Sequence, residues 1–403
     1  MQVLEQTTVL SNRIVNLAES ATLKMAALAR QLKQEGKDVI SLSIGEPDFG
    51  TPEHIKEAAI QAIKDGYSHY TPVPGYLDLR EAIVQKLKRD NKLDFTPNQI
   101  VVSTGAKQSL ANVILSTVNP GEEVIMPIPY WVSYAAQVEL AEGVLVEVPT
   151  SIENKFKITP ESLENAITEK TKLFVFSSPC NPTGSLYTKE ELKALADVFA
   201  KYENIYIVSD EIYEHITFEG KHESIAQFDF IKDRVVVVNG LSKGFAMTGW
   251  RLGYIAAPLQ IAKACGKMQG QFTSGTCGIT QRAAIAALTG TLEPTYAMRD
   301  EFKKRRELVL GLLNEIPGVK TYVPNGAFYV FPDVSYYLGK STGTETINTV
   351  DDFCMYLLND CQVSVVTGAA FGNDQCFRLS YAASTEQLTE ALRRIKASLA
   401  KLH

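Results

Sequence analysis

Residues 205–213 read Ile-Tyr-Ile-Val-Ser-Asp-Glu-Ile-Tyr, and residues 235–244 read Val-Val-Val-Val-Asn-Gly-Leu-Ser-Lys-Gly. Both begin as short β-rich apolar runs without polar alternation, the pattern of a strand buried on both faces. Both end in reactive groups: Asp210 and Tyr213 after the first, Ser242 and Lys243 after the second. Working outward, similar runs stand at 100–103, 123–126, 144–148, 173–176 and 252–256. Helical stretches separate them, among them 107–118 and 189–202. The second of these opens on Thr188 with Glu191 three positions on, a capping box. Buried strands alternating with helices predict an α/β fold with a mostly parallel seven-stranded sheet. Ligands of such sheets bind beyond the carboxyl ends of the strands. The strand at 100–103 adds a third group at that edge: Thr104-Gly105-Ala106-Lys107, opening a helix whose free N–H groups and dipole suit a phosphate.

From about residue 292 the character changes. A charged helix over 301–314 is followed by a strand-like 327–331, a helix over 350–359, a strand over 377–381 and a last helix from Thr385. The chain therefore divides into an N-terminal arm and segment packing with the small domain (1–50), a large domain (51–291), and a smaller α+β domain (292–403). No internal repeat or linker-like tract separates them.

The 403 residues carry a formal net charge of -6, which argues against nucleic acid as a partner. No apolar run is long enough to span a bilayer, and Met1–Leu10 lacks the basic-then-apolar order of a secretory signal. Six scattered cysteines and five unclustered histidines give no metal-type spacing, so no metal is expected, and reduced thiols in a cytoplasmic protein are the expectation.

The order of further motifs is informative: Ser20-Ala21-Thr22, Gly45-Glu46-Pro47-Asp48-Phe49, Tyr70-Thr71-Pro72, Gly105-Ala106-Lys107-Gln108, Pro129-Tyr130-Trp131-Val132-Ser133-Tyr134, Asn181-Pro182-Thr183-Gly184, Ser209 through Glu214, Ser242-Lys243, Gly249-Trp250-Arg251-Leu252-Gly253-Tyr254 and Arg378-Leu379-Ser380. Over nearly its whole length the chain resembles the class I aminotransferases, pyridoxal-phosphate (PLP) enzymes of fold type I. Within them it resembles the bacterial aspartate aminotransferases of the type found in thermophiles.

The resemblance implies a role for each matched residue. Lys243 joins the cofactor aldehyde and then moves the substrate Cα proton. Asp210 pairs with the pyridinium nitrogen, and Tyr213 and Asn181 hydrogen-bond the ring's phenolic oxygen. Trp131 stacks on the ring. The phosphate falls to the N–H groups of Gly105 and Ala106, beside Lys107, with the Ser242 hydroxyl and the bidentate guanidinium of Arg251. Tyr70 reaches the phosphate of the neighbouring subunit, so a homodimer with composite sites is implied. Taken singly, most of these have plainer readings: a surface lysine, a cap aspartate, a turn asparagine, a core tryptophan. Their order and number along the chain separate them from that background.

For the substrate, the resemblance gives Arg378 the α-carboxylate, with the Gly45 backbone, Trp131 and Asn181 beside it. Lys107, assisted by Ser20 and Thr22, takes a distal carboxylate. Lys107 stands in the first turn of its helix, where a cation opposes the dipole, so a purely structural role is unfavoured. The implied reaction is ping-pong transfer from aspartate to 2-oxoglutarate, giving oxaloacetate and glutamate. The alternatives are a prephenate or aromatic amino acid aminotransferase, or a PLP-dependent β-lyase on the same scaffold. A transcription regulator with an aminotransferase-like sensor would need a DNA-binding module, for which the chain shows no basic extension.

Overall fold

The computed structural model describes residues 9–403; the reading of the first ten residues therefore rests mostly on positions outside the described residues. Seven strands form one sheet: β1 (Ile100–Ser103), β2 (Glu123–Ile128), β3 (Val144–Pro149), β4 (Thr171–Ser177), β5 (Tyr206–Asp210), β6 (Val235–Gly240) and β7 (Gly253–Ala256). Their order is β1-β7-β6-β5-β4-β2-β3, and only β7 runs antiparallel to its neighbours.

The continuous apolar runs have a simple cause. Successive strand side chains point to opposite faces, and both faces of this sheet are covered. Ile100, Val102, Phe174, Ile207, Val235 and Val237 enter one core. Their neighbours Val101, Leu173, Val175, Val208, Val236 and Val238 enter another on the far side. Sheet topology then gathers the chemistry. Ser103, Ser177, Asp210 and Gly240 close parallel strands at one edge, and the turns after them hold Gly105, Asn181, Tyr213 and Lys243. Thr188 and Glu191 make the reciprocal capping bonds expected at the start of the helix Lys189–Phe199.

The C-terminal part builds a third core from the helices Glu293–Asn314, Val350–Asp360 and Thr385–Leu399 and a small antiparallel sheet. That sheet places Phe377–Ser380 between Val366–Thr367 and Tyr329–Val330. The early segment Ile40–Ser41 pairs with Val363–Ser364, tying residues near Gly45 to this part of the chain. The long helix starts at Glu293 rather than 301, because Pro294 sits in its first turn, where a missing N–H costs nothing. Among the described residues no helix is long and apolar enough to cross a membrane.

Candidate active site

Lys243 sits in the turn after β6, and its Nζ donates to the Gly45 carbonyl at 2.6 Å. Burial pulls the ammonium down to about 8; Glu46 opposes the shift, while Arg378 and Arg251 add to it. A neutral amine is thus within reach near neutral pH, as a nucleophile or a base requires.

Asp210 closes β5. Its Oδ2 accepts from the Tyr134 hydroxyl at 2.6 Å and its Oδ1 from the Ile212 N–H at 3.2 Å. Burial pushes the carboxyl up to about 6, against those two hydrogen bonds. Tyr213 lies one turn further on, with its ring 5.9 Å from Lys243 Nζ and its hydroxyl 2.8 Å from that of Tyr329.

Arg378 is the largest of the fully buried side chains, at 1% exposure, yet no carboxylate pairs with it among the described residues. Nη1 donates to Asn181 Oδ1 (3.0 Å) and Nη2 to the Ser43 carbonyl (2.6 Å), while Nε has no partner. The rings of Tyr329 and Phe371 lie 4.6 and 5.2 Å from the guanidinium carbon. A buried cation lacking an anion is costly and calls for an anionic ligand.

The phosphate-type turn behaves as backbone geometry dictates. Gly105 has φ +85, open to glycine, and a Cβ there would collide with the Arg251 guanidinium. Among the described residues Arg251 donates only to the carbonyls of Thr248 (2.9 Å) and Thr104 (3.4 Å). The Gly105 N–H, expected at the phosphate, donates within the turn to the Ser103 carbonyl at 2.8 Å. The N–H groups of Ala106 and Lys107 have no protein partner among the described residues and open the helix Ala106–Thr117.

One cavity, of about 240 Å³, is lined by Ser20, Thr22, Gly45, Ala106, Lys107, Trp131, Asn181, Asp210, Tyr213, Ser242, Lys243, Arg251 and Arg378. These are nearly all the residues singled out from the sequence. Across its full lining, four cations (Lys107, Lys243, Arg251, Arg378) face one carboxylate, Asp210.

A family model described as aminotransferase class I and II matches residues 37–395. The chain belongs to this family. A relative from Petunia hybrida named bifunctional aspartate aminotransferase and glutamate/aspartate-prephenate aminotransferase is 47% identical, covering 97% of this chain and 82% of its own. An aspartate/prephenate aminotransferase of Cereibacter sphaeroides is 46% identical over 98% of this chain and 99% of its own. The solved aspartate aminotransferase of Thermus thermophilus with maleate superposes with a TM-score of 0.91 at 41% identity, over 97% of this chain and all of that one. The fold type and the thermophile-type resemblance read from the motifs accordingly hold.

Within this aminotransferase chain, Lys107 Nζ lies 5.0 Å from the Trp131 ring, its charge disfavoured by burial and then by Arg251. Among the described residues the Thr22 hydroxyl is buried without a partner, and Ser20 stands at the N-cap of Ala21–Gln34 without capping it, which leaves both hydroxyls for another group. Tyr70 is the outlier: at 99% exposure it is outside the cavity of its own chain. Two residues were missed. Tyr134 figures in the sequence only within a motif, and Tyr329 only within the strand-like run 327–331. Their roles depend on which partner the fold brings close, and one sequence carries no signal of that.

Proposed function

We propose that the chain is a PLP-dependent aspartate aminotransferase, transferring the amino group to 2-oxoglutarate by a ping-pong route. The observation that carries this reading is the charge of the cavity, in particular the buried, acid-free Arg378. The donor set fits the cofactor at each end. Arg251, Ser242 and the free N–H groups of Ala106 and Lys107 would hold a phosphate, Asp210 would pair with a pyridinium nitrogen, and Lys243 offers the amine for an aldehyde. Gly105 leaves the room that the Arg251 guanidinium needs beside that turn.

When bound, PLP supplies an electron sink for the pair left as the substrate Cα proton departs. The chain's own residues do the rest. Lys243, with its charge suppressed by burial, takes that proton at Nζ and returns it. Asp210 holds a proton at the ring nitrogen, and Tyr134 keeps its carboxylate oriented. Asn181, its Oδ1 engaged by Arg378, presents its amide as a donor, and Trp131 covers the ring. Arg378 and the Gly45 backbone orient the α-carboxylate. Lys107, with Ser20 and Thr22, receives the distal one.

A second reading concerns range rather than chemistry. Prephenate also carries two carboxylates, and two relatives above bear that activity in their names. We take residues 1–50, 51–291 and 292–403 as the arm, the PLP-binding domain and the small domain of a cytoplasmic homodimer, with Tyr70 of each chain serving its partner's phosphate. The fully exposed ring of Tyr70 supports that last assignment.

Mixing the protein with aspartate alone tests the reaction. One equivalent of oxaloacetate per site should form and then stop, resuming on addition of 2-oxoglutarate. Continuous 2-oxo acid formation without an acceptor would instead identify a β-lyase, and response to alanine or phenylalanine but not aspartate would reject the substrate.

A further inference from the structure

If the chain holds PLP as proposed, one more residue, Tyr329, belongs to its site. Tyr329 lies on the small-sheet strand beside Phe377–Ser380, in register with Ser380. Arg378 lies two residues from Ser380 on the same face, so Tyr329 and Arg378 are diagonal neighbours, and the guanidinium carbon lies 4.6 Å from the ring centroid. From that position the Tyr329 hydroxyl reaches out of the small sheet to the turn after β5, where it meets the Tyr213 hydroxyl at 2.8 Å, both phenols being buried. It also closes on Gly45, where a Cβ would collide with it, and Gly45 supplies the carbonyl that holds Lys243 Nζ. One side chain therefore touches the Tyr213 hydroxyl, the carboxylate-binding arginine and the backbone that seats the lysine.

Each phenol has a single proton. If Tyr213 donates its proton to the phenolic oxygen of the bound ring, its own oxygen is free only to accept. Among the described residues, the hydroxyl in place to donate to it is that of Tyr329. We propose that Tyr329 is a positioning residue: it donates to Tyr213, thereby aims the Tyr213 proton at the bound cofactor, and carries Arg378 on its ring. Burial keeps its phenol above the usual range even beside Arg378, so Tyr329 retains the proton that this bond uses.

The test uses the holoenzyme. The visible absorbance of bound PLP changes with pH about a midpoint that depends on hydrogen bonds to its phenolic oxygen, because a donor there lowers that oxygen's affinity for a proton. Tyr213→Phe should raise the midpoint. Tyr329→Phe, which keeps the ring and the packing, should raise it by a smaller amount, on the order of half to one unit, the shift expected from one neutral hydrogen bond. Combining the two should give the Tyr213→Phe value alone. Maleate binding supplies a second readout: Tyr329→Leu, which removes the ring under Arg378, should weaken it severalfold, and Tyr329→Phe should not. An unshifted midpoint in Tyr329→Phe, or an additional shift on top of Tyr213→Phe, overturns the assignment while leaving the functional reading intact. Equal maleate affinity in the Leu variant overturns the Arg378 half of it. A wild-type protein that takes up no PLP overturns the functional reading, and this inference with it.

Discussion

Lys107 and Asp210 show how single residues trade stability for chemistry. Lys107 is partly buried over Trp131 and has no carboxylate partner among the described residues. If it meets the distal carboxylate, Lys107→Ala removes a charge-assisted contact worth about 2–3 kcal/mol, and kcat/KM with aspartate should fall roughly a hundredfold. Alanine has no distal carboxylate, so its efficiency should hardly change. The ratio of the two cancels general damage, and an equal loss with both donors would move Lys107 to the cofactor site. Asp210 is held by the fold at about 6, above its usual 3.8. The folded chain thus binds this proton more tightly than the unfolded chain, so ionised Asp210 opposes folding. That penalty is absent well below pH 4 and complete above pH 6. In the cofactor-free protein, Asp210→Asn should therefore stabilise more at pH 8 than at pH 4, by up to about 3 kcal/mol. Urea unfolding at the two pH values measures the difference, and an equal effect at both would mean that Asp210 is not strained.

At the scale of elements, the sheet strands were legible because burial on both faces leaves runs such as Val235–Val238 that no solvent-facing pattern produces. The helices before residue 100, among them Ala21–Gln34, Glu53–Lys64 and Leu77–Lys86, were not legible. Glu53–Lys64 buries only Ile55, Ala59 and Ala62, a narrow stripe too weak to read against its charged residues. The turn between β1 and the helix Ala106–Thr117 was legible in type but not in detail, since the use of the Gly105 N–H depends on a φ that sequence does not give. Gly105→Ala should strain that backbone and push on Arg251. Affinity for PLP should drop roughly five- to hundredfold, on the order of the 1–3 kcal/mol such strain costs, while pyridoxal, which lacks the phosphate, should bind nearly as before. Equal losses for the two ligands would show general disruption of the turn instead.

Over the whole molecule, the site draws on parts of the chain far apart in sequence: Gly45, the edge of the large sheet, and Arg378 from the small one. Motif order made that convergence readable, whereas the contacts of Tyr134 and Tyr329 emerged only from packing. Tyr70 extends the same logic beyond one chain. A heterodimer of a Tyr70→Phe chain and a Lys243→Ala chain should keep one pocket with both native groups and one with neither. It should then show about half the activity of wild type with unchanged PLP retention in the surviving site, where that fraction follows from one intact site in two. Two impaired pockets would place Tyr70 in its own chain's site.

The central claim is that Lys243 carries the cofactor. Borohydride reduction of the holoprotein followed by peptide mapping tests it most directly. The expected result is a single stable pyridoxyl label on the peptide containing Lys243, with no label in Lys243→Ala. A label on any other lysine, or none after saturation with PLP, would contradict it.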